Sequence, residues 1–412
     1  MSDSAPQLLR HHRPFLAFWL ARVFTASGFQ MLTVAIGWHL YQLTGNVLDL
    51  GLVGLVEFAP RVLFMLHTGH VADRYDRRKV AALCQSLQGL IALALAVGSA
   101  TDNVTRELIF ALAFLLGATR SFEMPATQAL LPNVVPAGLF PRAVAASASA
   151  TQSATIVAPA VGGFLYAFGS MWVYGPTVAL YAIACVLTLS LQAHGQVAQR
   201  GRASIESLLA GIRFIRSRPD ILGAISLDLF AVLLGGATAL LPVFAKDILL
   251  TGPMGLGLLR SAPAVGALLM SLWLARFPFQ RNVGRTMFTA VGVFGVATIA
   301  FGLSTSFWFS LAVLVVLGAA DMISMVIRAS FVQLETPDEM RGRVSAVNGL
   351  FIGASNQLGE FESGLTAHWF GTVPAVVMGG IGTLVVTGTW IKLFPTLANR
   401  DRMHVPVEEA KV

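Results

Sequence analysis

The sequence has few charged residues and few cysteines, and each shortage excludes a class of protein. Only 12% of the 412 residues are charged and 55% are hydrophobic, whereas soluble domains carry roughly 25% charged residues. The two cysteines, Cys84 and Cys185, lie in separate apolar stretches. They provide neither a disulfide framework nor a thiolate zinc site. A soluble enzyme and a disulfide-rich secreted domain are therefore excluded.

A continuous basic stripe is also missing, although the formal net charge is +7. The Lys and Arg residues are dispersed in short segments between apolar runs, so we expect no nucleic-acid partner. The sequence has no phosphate-binding loop, no catalytic nucleophile and no pair of catalytic carboxylates. No acid or histidine accompanies His39 at the spacing of metal ligands. We expect no enzyme activity, no cofactor and no metal site.

Long apolar segments are what the chain has in abundance, and its mean hydropathy is +0.71. Crossing a bilayer takes roughly 20 apolar residues in a helix. Twelve segments approach or exceed this length: 15–43, 47–68, 80–100, 108–131, 140–168, 171–191, 221–245, 254–275, 286–303, 308–334, 344–369 and 373–394. The sequence therefore predicts an all-α protein with twelve transmembrane helices in a lipid bilayer.

One long polar segment, 192–220, separates the sixth and seventh apolar segments. Its Ile and Leu residues between Ile205 and Ile215 repeat at helical spacing, which favours a short helix lying on the membrane surface. A solvated connector stays open as the alternative. We expect a six-helix bundle over 1–191, a cytoplasmic linker over 192–220, a second six-helix bundle over 221–395 and a cytoplasmic tail over 396–412.

The distribution of Lys and Arg predicts the orientation of the chain. If the N-terminus is cytoplasmic, most of the 28 basic residues fall in cytoplasmic loops and tails, whereas only Arg106 and Lys246 fall in loops on the outer side. Cytoplasmic loops of membrane proteins carry such an excess of basic residues. We therefore expect a multi-pass protein of the inner (cytoplasmic) membrane with both termini in the cytoplasm.

The two halves of the chain resemble each other when one is shifted by 201 residues. The shift aligns Leu116, Gly117, Ala118, Pro136, Arg142, Ala145 and Gly163 with Leu317, Gly318, Ala319, Pro337, Arg343, Ala346 and Gly364. This pattern indicates a duplication of six helices. Parallel repeats of this kind enclose a central cavity and open it alternately to each side of the membrane. The duplication is typical of a transporter.

The segment 69–79 reads GHVADRYDRRK and resembles the signature loop of the major facilitator superfamily. The resemblance implies an inner gate, in which a glycine permits close helix approach and an aspartate and arginines form a charge network. It assigns this role to Gly69, Asp73, Arg74, Arg77 and Arg78. The sequence departs from the family pattern at Asp76, where the family has glycine. The corresponding segment of the second half, 275–285, keeps basic residues but has no aspartate.

Two further segments resemble motifs of the superfamily. The segment 154–163, ATIVAPAVGG, resembles the motif of antiporting members, although Ala158 stands where they have glycine. We expect its Pro159, Gly162 and Gly163 to pack tightly against a helix of the other half; a kinked helix without a role in antiport is the alternative. Arg120, followed three residues later by Glu123, resembles the arginine-bearing motif of proton-coupled exporters.

Ionisable side chains inside the bilayer are costly, by roughly 2.5–3.5 kcal/mol on insertion scales, and are candidates for function. We expect proton coupling or substrate binding at Arg22, Glu57, Arg61, Arg120, Glu123, Asp228, Asp321, Arg328 and Glu360. A structural ion pair stays open for Glu57 with Arg61. Arg120 and Asp321 align in the two halves and are expected to meet across the cavity. A static pair of Asp321 with Arg328, two helical turns later, is the alternative.

Over its whole length the chain most resembles the branch of the superfamily that contains the enterobactin exporter and macrolide efflux proteins. The resemblance implies export of a bulky amphiphilic small organic substrate, siderophore or drug, in exchange for protons. Such activity underlies siderophore export and multidrug resistance. We expect a monomer. An importer or a metal ion exporter of the same superfamily, and a non-transporting membrane receptor with this fold, stay open as alternatives.

Overall fold

The computed structural model describes residue 9 and residues 12–191, 205–279 and 281–403. Within these ranges the chain is helical and contains no β-strand. The predicted tail beyond residue 403 and the linker residues 192–204 lie outside the described part. The predicted apolar segments of both halves form helices, so the chain is an all-α membrane protein.

The six apolar segments of the first half form seven helices that precede the linker. They are α1 (Arg13–Thr44), α2 (Val47–Leu63), α3 (Met65–Arg74), α4 (Arg77–Ala100), α5 (Arg106–Val134), α6 (Phe140–Tyr166) and α7 (Met171–Leu189). The second segment is divided at Phe64, one turn after Pro60. Proline removes one backbone hydrogen bond and crowds the preceding turn, which weakens a helix at this place.

The second half begins with α8 (Ile205–Ser217) and continues with α9 (Pro219–Leu234), the short α10 (Leu241–Val243) and a π-helical turn (Phe244–Ile248). The remaining helices are α11 (Gly252–Arg276), α12 (Val283–Gly302), α13 (Phe307–Glu335), α14 (Asp338–Phe370), α15 (Thr372–Leu393) and α16 (Pro395–Ala398). The predicted apolar segment 221–245 lies within the candidate membrane span Pro219–Ile248, whose helix is interrupted. Gly235 and Gly236 interrupt it where a Cβ atom on Gly236 would lie 2.6 Å from the carbonyl oxygen of Gly359.

Nine helices in the described ranges are long and apolar enough to cross a membrane. The predicted second, fifth and eleventh segments do not reach that standard. Of their helices, α2 has 17 residues, α6 is rich in Ala, Ser and Thr, and α14 carries several charged residues. A polar helix of this kind is tolerated in a membrane where it faces protein or water rather than lipid.

Contacts divide the chain into two units. Unit 1 consists of Met1–Gly45, Val56–Arg202 and Gly252–Ser261, and unit 2 consists of Asn46–Leu55, Ala203–Thr251 and Ala262–Val412. The first part of α2 thus packs with unit 2, and the first part of α11 packs with unit 1. In unit 1, Phe15 and Phe18 of α1 pack with Leu130 of α5 in an apolar core. The apolar core of unit 2 contains Leu227, Met287 and Phe331.

The aligned glycines Gly117 and Gly318 make the same kind of helix contact in their respective units. A Cβ atom on Gly117 of α5 would lie 1.8 Å from the carbonyl oxygen of Glu57 in α2. On Gly318 of α13 it would lie 1.9 Å from the carbonyl oxygen of Pro263 in α11. Both positions place two helix backbones in direct contact, which only glycine permits. The duplication read from the sequence therefore has a counterpart in the packing.

The linker segment forms a helix, α8, whose apolar side packs on unit 2. Ile215 belongs to a buried cluster with Val332 and Val344, and Leu208 and Ile212 pack against that cluster. Protein covers these three side chains of α8, and the position of α8 on the membrane surface stays a prediction. The helical spacing of the Ile and Leu residues fits a helix whose apolar side contacts either the membrane or the protein.

Candidate functional site

A polar cluster in the interior of unit 1 contains several of the predicted residues. Arg120 Nη1 lies 3.1 Å from Glu123 Oε2, and Thr127 Oγ1 donates to Glu123 Oε1 at 3.0 Å. Glu123 is only 4% exposed. The guanidinium of Arg120 also stacks on Phe29 of α1, 4.1 Å from the ring centre. We call Arg120, Glu123 and Thr127, which share one face of α5 by their spacing, the α5 cluster.

The other charged candidates of unit 1 lie around the α5 cluster. Arg22 interacts electrostatically with Glu123 and Arg120, and its Nη2 donates to Thr151 Oγ1 at 3.0 Å. Arg61 interacts with Glu57 and Arg120. The structure therefore brings Arg22, Glu57, Arg61, Arg120 and Glu123 together in one unit. It surrounds a single buried carboxylate of α5 with cationic side chains.

The predicted site residues did not include the neutral polar groups beside this cluster. Gln85 Nε2 donates to Thr25 Oγ1 at 3.1 Å. The side-chain amide of Gln88 and the hydroxyl of Tyr181 are buried and have no hydrogen-bond partner among the described residues. A buried polar group without a partner costs about 1–3 kcal/mol. These groups are available to a bound solute or to water. Glutamine inside an otherwise apolar helix was the signal that would have revealed them.

In unit 2 a buried ion pair joins Asp228 of α9 to Arg328 of α13, with side chains 8% and 4% exposed. The alternative of a static pair between Arg328 and Asp321 is wrong, since Arg328 contacts Asp228. Asp321 and Asp228 instead line the same small cavity, together with Ser324 and Phe294. The cavity has a volume of about 10 Å³, which is enough for about one water molecule.

Glu360 of α14 lies against α2 within unit 2. A Cβ atom on Gly54 would lie 2.7 Å from Glu360 Oε2 and 3.3 Å from Gln357 Oε1, and one on Gly364 would lie 2.8 Å from the Cα of Gly51. The glycines of α2 thus make room for the carboxylate and for the backbone of α14. Glu360 is therefore placed in a helix contact, apart from the cavity that Asp228 and Asp321 line.

The antiporter-like segment 154–163 makes a close helix contact in unit 1, as α2 and α14 do in unit 2. A Cβ atom on Gly163 would lie 2.3 Å from the carbonyl oxygen of Pro253, and one on Gly257 of α11 would lie 2.4 Å from that of Pro159. Gly162 approaches Met31 of α1 in the same way, at 3.1 Å from its Cα. The tight packing expected for this segment is thus present, and its partner α11 comes from the second half of the sequence.

The segment 69–79 forms the end of α3, a turn and the start of α4. Arg78 Nη1 donates to the carbonyl oxygen of Leu191 at 2.6 Å, and Arg77 Nη1 donates to that of Ala129 at 3.1 Å. Arg74 is exposed, and the side chain of Asp73 lies outside the described part of the structure. The close helix approach expected at Gly69 is not found: a Cβ atom there meets no described atom within 4 Å.

Asp76, the departure from the family pattern, is the N-cap of α4. Its carboxylate accepts from the backbone N–H of Arg78 at 2.9 Å and forms an ion pair with the Arg78 side chain at 2.8 Å. The hydrogen bond from the Arg78 side chain lowers the pKa of Asp76 below its ordinary value. An N-cap carboxylate stabilises the first turn of a helix. Asp76 thus caps the start of α4, at the position where the family has a glycine and a flexible turn.

We expect Asp76→Ala to lower the stability of the protein by about 0.5–2 kcal/mol, the usual cost of losing an N-cap. Because the pKa of Asp76 is lowered in the folded state, its charge stabilises the protein above the ordinary Asp pKa of about 3.9 and ceases to do so as the pH falls through the lowered value. Thermal unfolding between pH 3 and 7 tests this. Asp76→Asn, which keeps the cap, should match wild type at low pH and fall below it at pH 7.

A second charge network, which joins the start of α9 and the end of α13 to the segment after α15, was missed by the sequence analysis. Arg400 Nη1 lies 2.6 Å from Asp220 Oδ2, and Arg400 also pairs with Glu335. Thr396 Oγ1 donates to Asp220 Oδ1 at 2.7 Å. The partners are far apart in sequence, so no spacing predicted them. The predicted tail, from residue 396, thus begins as part of the folded unit.

These features define a multi-pass, all-α membrane transporter. The chain belongs to the transmembrane secretion effector family, whose model matches residues 4–408, within the major facilitator superfamily. It is similar to the enterobactin exporter EntS of Escherichia coli O1:K1 / APEC, with 26% identity over 380 residues, 92% of this chain and 87% of that protein.

Solved structures confirm the fold. A bacterial homologue of the iron transporter ferroportin, in an inward-facing state, matches with a TM-score of 0.73 and 17% identity over 96% of this chain and 100% of that chain. The nucleoside transporter NupG matches with a TM-score of 0.67 and 18% identity over 92% and 99%. The predicted twelve-helix fold class is confirmed. At these identities the likeness concerns the fold alone.

Proposed function

We propose that this protein exports an amphiphilic organic solute across the inner membrane in exchange for protons, with both termini in the cytoplasm. The observation that carries the proposal is the buried carboxylate of Glu123, held by Arg120 at 3.1 Å and Thr127 at 3.0 Å. The similarity to an enterobactin exporter over 92% of the chain supports the direction and the class of solute. A siderophore or a drug-like molecule fits this class.

Glu123 is the proton carrier of unit 1 in this proposal. A buried carboxylate stays ionised only while its charge is matched, here by the guanidinium of Arg120 and the hydroxyl of Thr127. A solute whose hydroxyl or amine donates to the ionised carboxylate of Glu123 stabilises the charge and opposes uptake of a proton, whereas a proton on Glu123 removes the charge that the solute binds. Proton binding and solute binding at the α5 cluster thus exclude each other, which is the requirement for exchange.

Asp321 is the stronger candidate for a proton carrier in unit 2. The charge of Asp228 is already matched by Arg328, whereas Asp321 has no hydrogen bond or ion pair with another described residue and borders a cavity with room for about one water. Water in that cavity gives a proton a path to the carboxylate. Glu360 has a weaker case, because it fills a helix contact against Gly54. The pairing of Asp321 with Arg120 stays a prediction.

The gate and the domain organisation complete the proposal. Arg77 and Arg78 donate to carbonyl groups near the ends of α5 and α7, so a movement of these two arginines is transmitted to both helices. The resemblance to the superfamily adds Asp73 and Arg74 to the same network. We propose that this network favours one access state, and that Pro159, Gly162 and Gly163 seal the contact with α11. The two predicted bundles, 1–191 and 221–395, rock around the site, and the transporter acts as a monomer.

Everted membrane vesicles with an acidic lumen test the proposal directly. We expect them to accumulate added enterobactin, with a ratio that rises up to about tenfold per pH unit if one proton is exchanged per solute, and a protonophore should abolish the accumulation. A macrolide replaces enterobactin in a parallel assay. Uptake that continues after the gradient collapses would exclude proton coupling, and accumulation in right-side-out vesicles instead would indicate an importer.

The variant Glu123→Gln is expected to bind the solute and to lose the pH dependence of binding and transport, because the amide keeps the shape of the carboxylate without its proton. Its matched control is Glu107→Gln, an exposed glutamate in the first turn of the same helix, which should behave as wild type. A wild-type pH profile in Glu123→Gln would remove Glu123 from the proton pathway. Both variants should be equally abundant in the membrane.

A further inference from the structure

Unit 1 contains a cavity of about 730 Å³ away from the α5 cluster. It lies between the end of α1, the end of α4 and the turn from α6 to α7, and Pro253 completes its lining. We call this cavity the vestibule. Its volume falls in the range of about 300–1,000 Å³ that is typical of small-molecule sites. On α1, Trp38 lies nine residues beyond Phe29 of the α5 cluster, or about 14 Å along the helix.

The vestibule has a fixed aromatic wall. Trp38 and Tyr166 line it and are each only 7% exposed. His39 packs edge-on against Tyr166, with ring centres 6.2 Å apart, and its Nδ1 is hydrogen-bonded to the hydroxyl of Tyr174 at 3.1 Å. Phe168, which is 63% exposed, lines the cavity nearer the solvent. Aromatic side chains that are held in this way present flat apolar faces without first losing rotamer freedom.

Polar groups of the vestibule select what can lie against that wall. Ser99 lines the cavity, and its hydroxyl oxygen is buried behind that wall without a hydrogen-bond partner among the described residues. Tyr166 donates to Gln42 Oε1 at 3.4 Å, a long contact that leaves the amide of Gln42 available. Among the described residues that line it, Asp102 is acidic and none is Lys or Arg. The vestibule therefore favours an uncharged or cationic molecule over an anion.

The position of the vestibule follows from α4. Helix α4 begins next to Asp76, in the predicted inner-gate segment 69–79, and ends at Ala100. Gly98 and Ser99 therefore lie at the opposite end of the helix. The length of 24 residues separates the two ends by about 36 Å, more than the thickness of the hydrocarbon core. With the proposed orientation the vestibule opens on the outer side of the membrane.

We propose that the vestibule is a second binding site, which takes an uncharged or cationic aromatic solute from the outer side or releases it there. The aromatic ring packs on the exposed Phe168 and against the small exposed parts of Trp38 and Tyr166, and a hydroxyl or amine of the solute bonds Gln42. Asp102 attracts a cationic group at the mouth. This binding does not depend on proton exchange at the α5 cluster, so it can be tested without transport.

Three naphthalene probes, measured on the full chain in nanodiscs, test the site: 2-naphthol, 2-naphthylmethylammonium and 2-naphthoate. Saturation-transfer NMR, with empty nanodiscs subtracted, should show saturable binding of the first two and at least about fivefold weaker binding of 2-naphthoate. Asp102→Asn should remove most of the preference for the cation and leave 2-naphthol unchanged. Equal affinity for cation and anion, or no saturable binding, would overturn the proposal.

Phe168→Ala locates the probe, because this exposed side chain can be removed with little effect on folding. We expect it to weaken 2-naphthol binding about three- to tenfold. Phe370→Ala is the matched control: Phe370 is the last residue of α14 in unit 2 and is 57% exposed, close to the 63% of Phe168. An equal loss in both variants, or no loss in Phe168→Ala, would place the probe elsewhere and overturn the proposal.

Discussion

Replacing Gly117 by alanine is expected to lower the thermal unfolding midpoint of the purified protein by about 5 °C or more, a larger effect than most single substitutions cause. The added Cβ atom would lie 1.8 Å from the carbonyl oxygen of Glu57, well inside van der Waals contact. The obstacle is backbone, so no rotamer change relieves it, and α2 must move away from α5. Overpacking costs about 1–3 kcal/mol where side chains can adjust, and here they cannot.

Two further variants make this prediction specific to the helix contact. Gly318→Ala should destabilise the protein by a similar amount, because the carbonyl oxygen of Pro263 lies 1.9 Å from the added Cβ atom. Gly175→Ala in α7 is the control, since its Cβ atom meets no described atom within 4 Å and alanine favours a helix. Equal midpoints for Gly117→Ala and Gly175→Ala would show that the two backbones are not in contact.

Breaking the buried ion pair of unit 2 is expected to have the second large effect. Asp228→Asn leaves the guanidinium of Arg328, whose side chain is 4% exposed, without a matching charge. Removing one partner of a buried pair costs about 3–5 kcal/mol. We expect the variant to unfold at a markedly lower temperature than wild type in detergent, measured by light scattering or intrinsic fluorescence.

The double variant Asp228→Leu with Arg328→Met separates the ion pair from the packing around it. An apolar pair of similar volume avoids the uncompensated charge, so much of the stability should return. The exposed pair of Asp338 and Arg341, whose side chains are 81% and 49% exposed, serves as the control and should contribute about 0–1 kcal/mol. A double variant as unstable as Asp228→Asn would show that the charges do not determine the effect.

The helices and the duplication could be predicted because they depend on local patterns. A bilayer requires about 20 apolar residues per helix, and this requirement is visible in any stretch of the sequence. The matched glycines at 117 and 318 gave the repeat, and the structure shows that each contacts a backbone carbonyl group. The residues of the α5 cluster were also within reach, since Arg120 and Glu123 are one turn apart.

Partners that lie far apart in the sequence could not be predicted. Helical spacing offered Asp321 as an alternative partner of Arg328, whereas the structure pairs Arg328 with Asp228, a hundred residues earlier. The interruption at Gly235 depends on the approach of α14, which no window around Gly235 contains. The sequence shows a glutamine inside an apolar helix. Only the packing around Gln88 and Tyr181 shows that their polar groups are buried without a hydrogen-bond partner among the described residues.

The Arg400 network has a consequence for how the chain is made. Asp220 and Glu335 precede Arg400 in the chain, and the two carboxylates repel each other. Arg218 offsets part of this repulsion at Glu335, and Arg400 adds an ion pair to each carboxylate. We therefore expect the contact between the start of α9 and the end of α13 to become complete only after Arg400 has been synthesised.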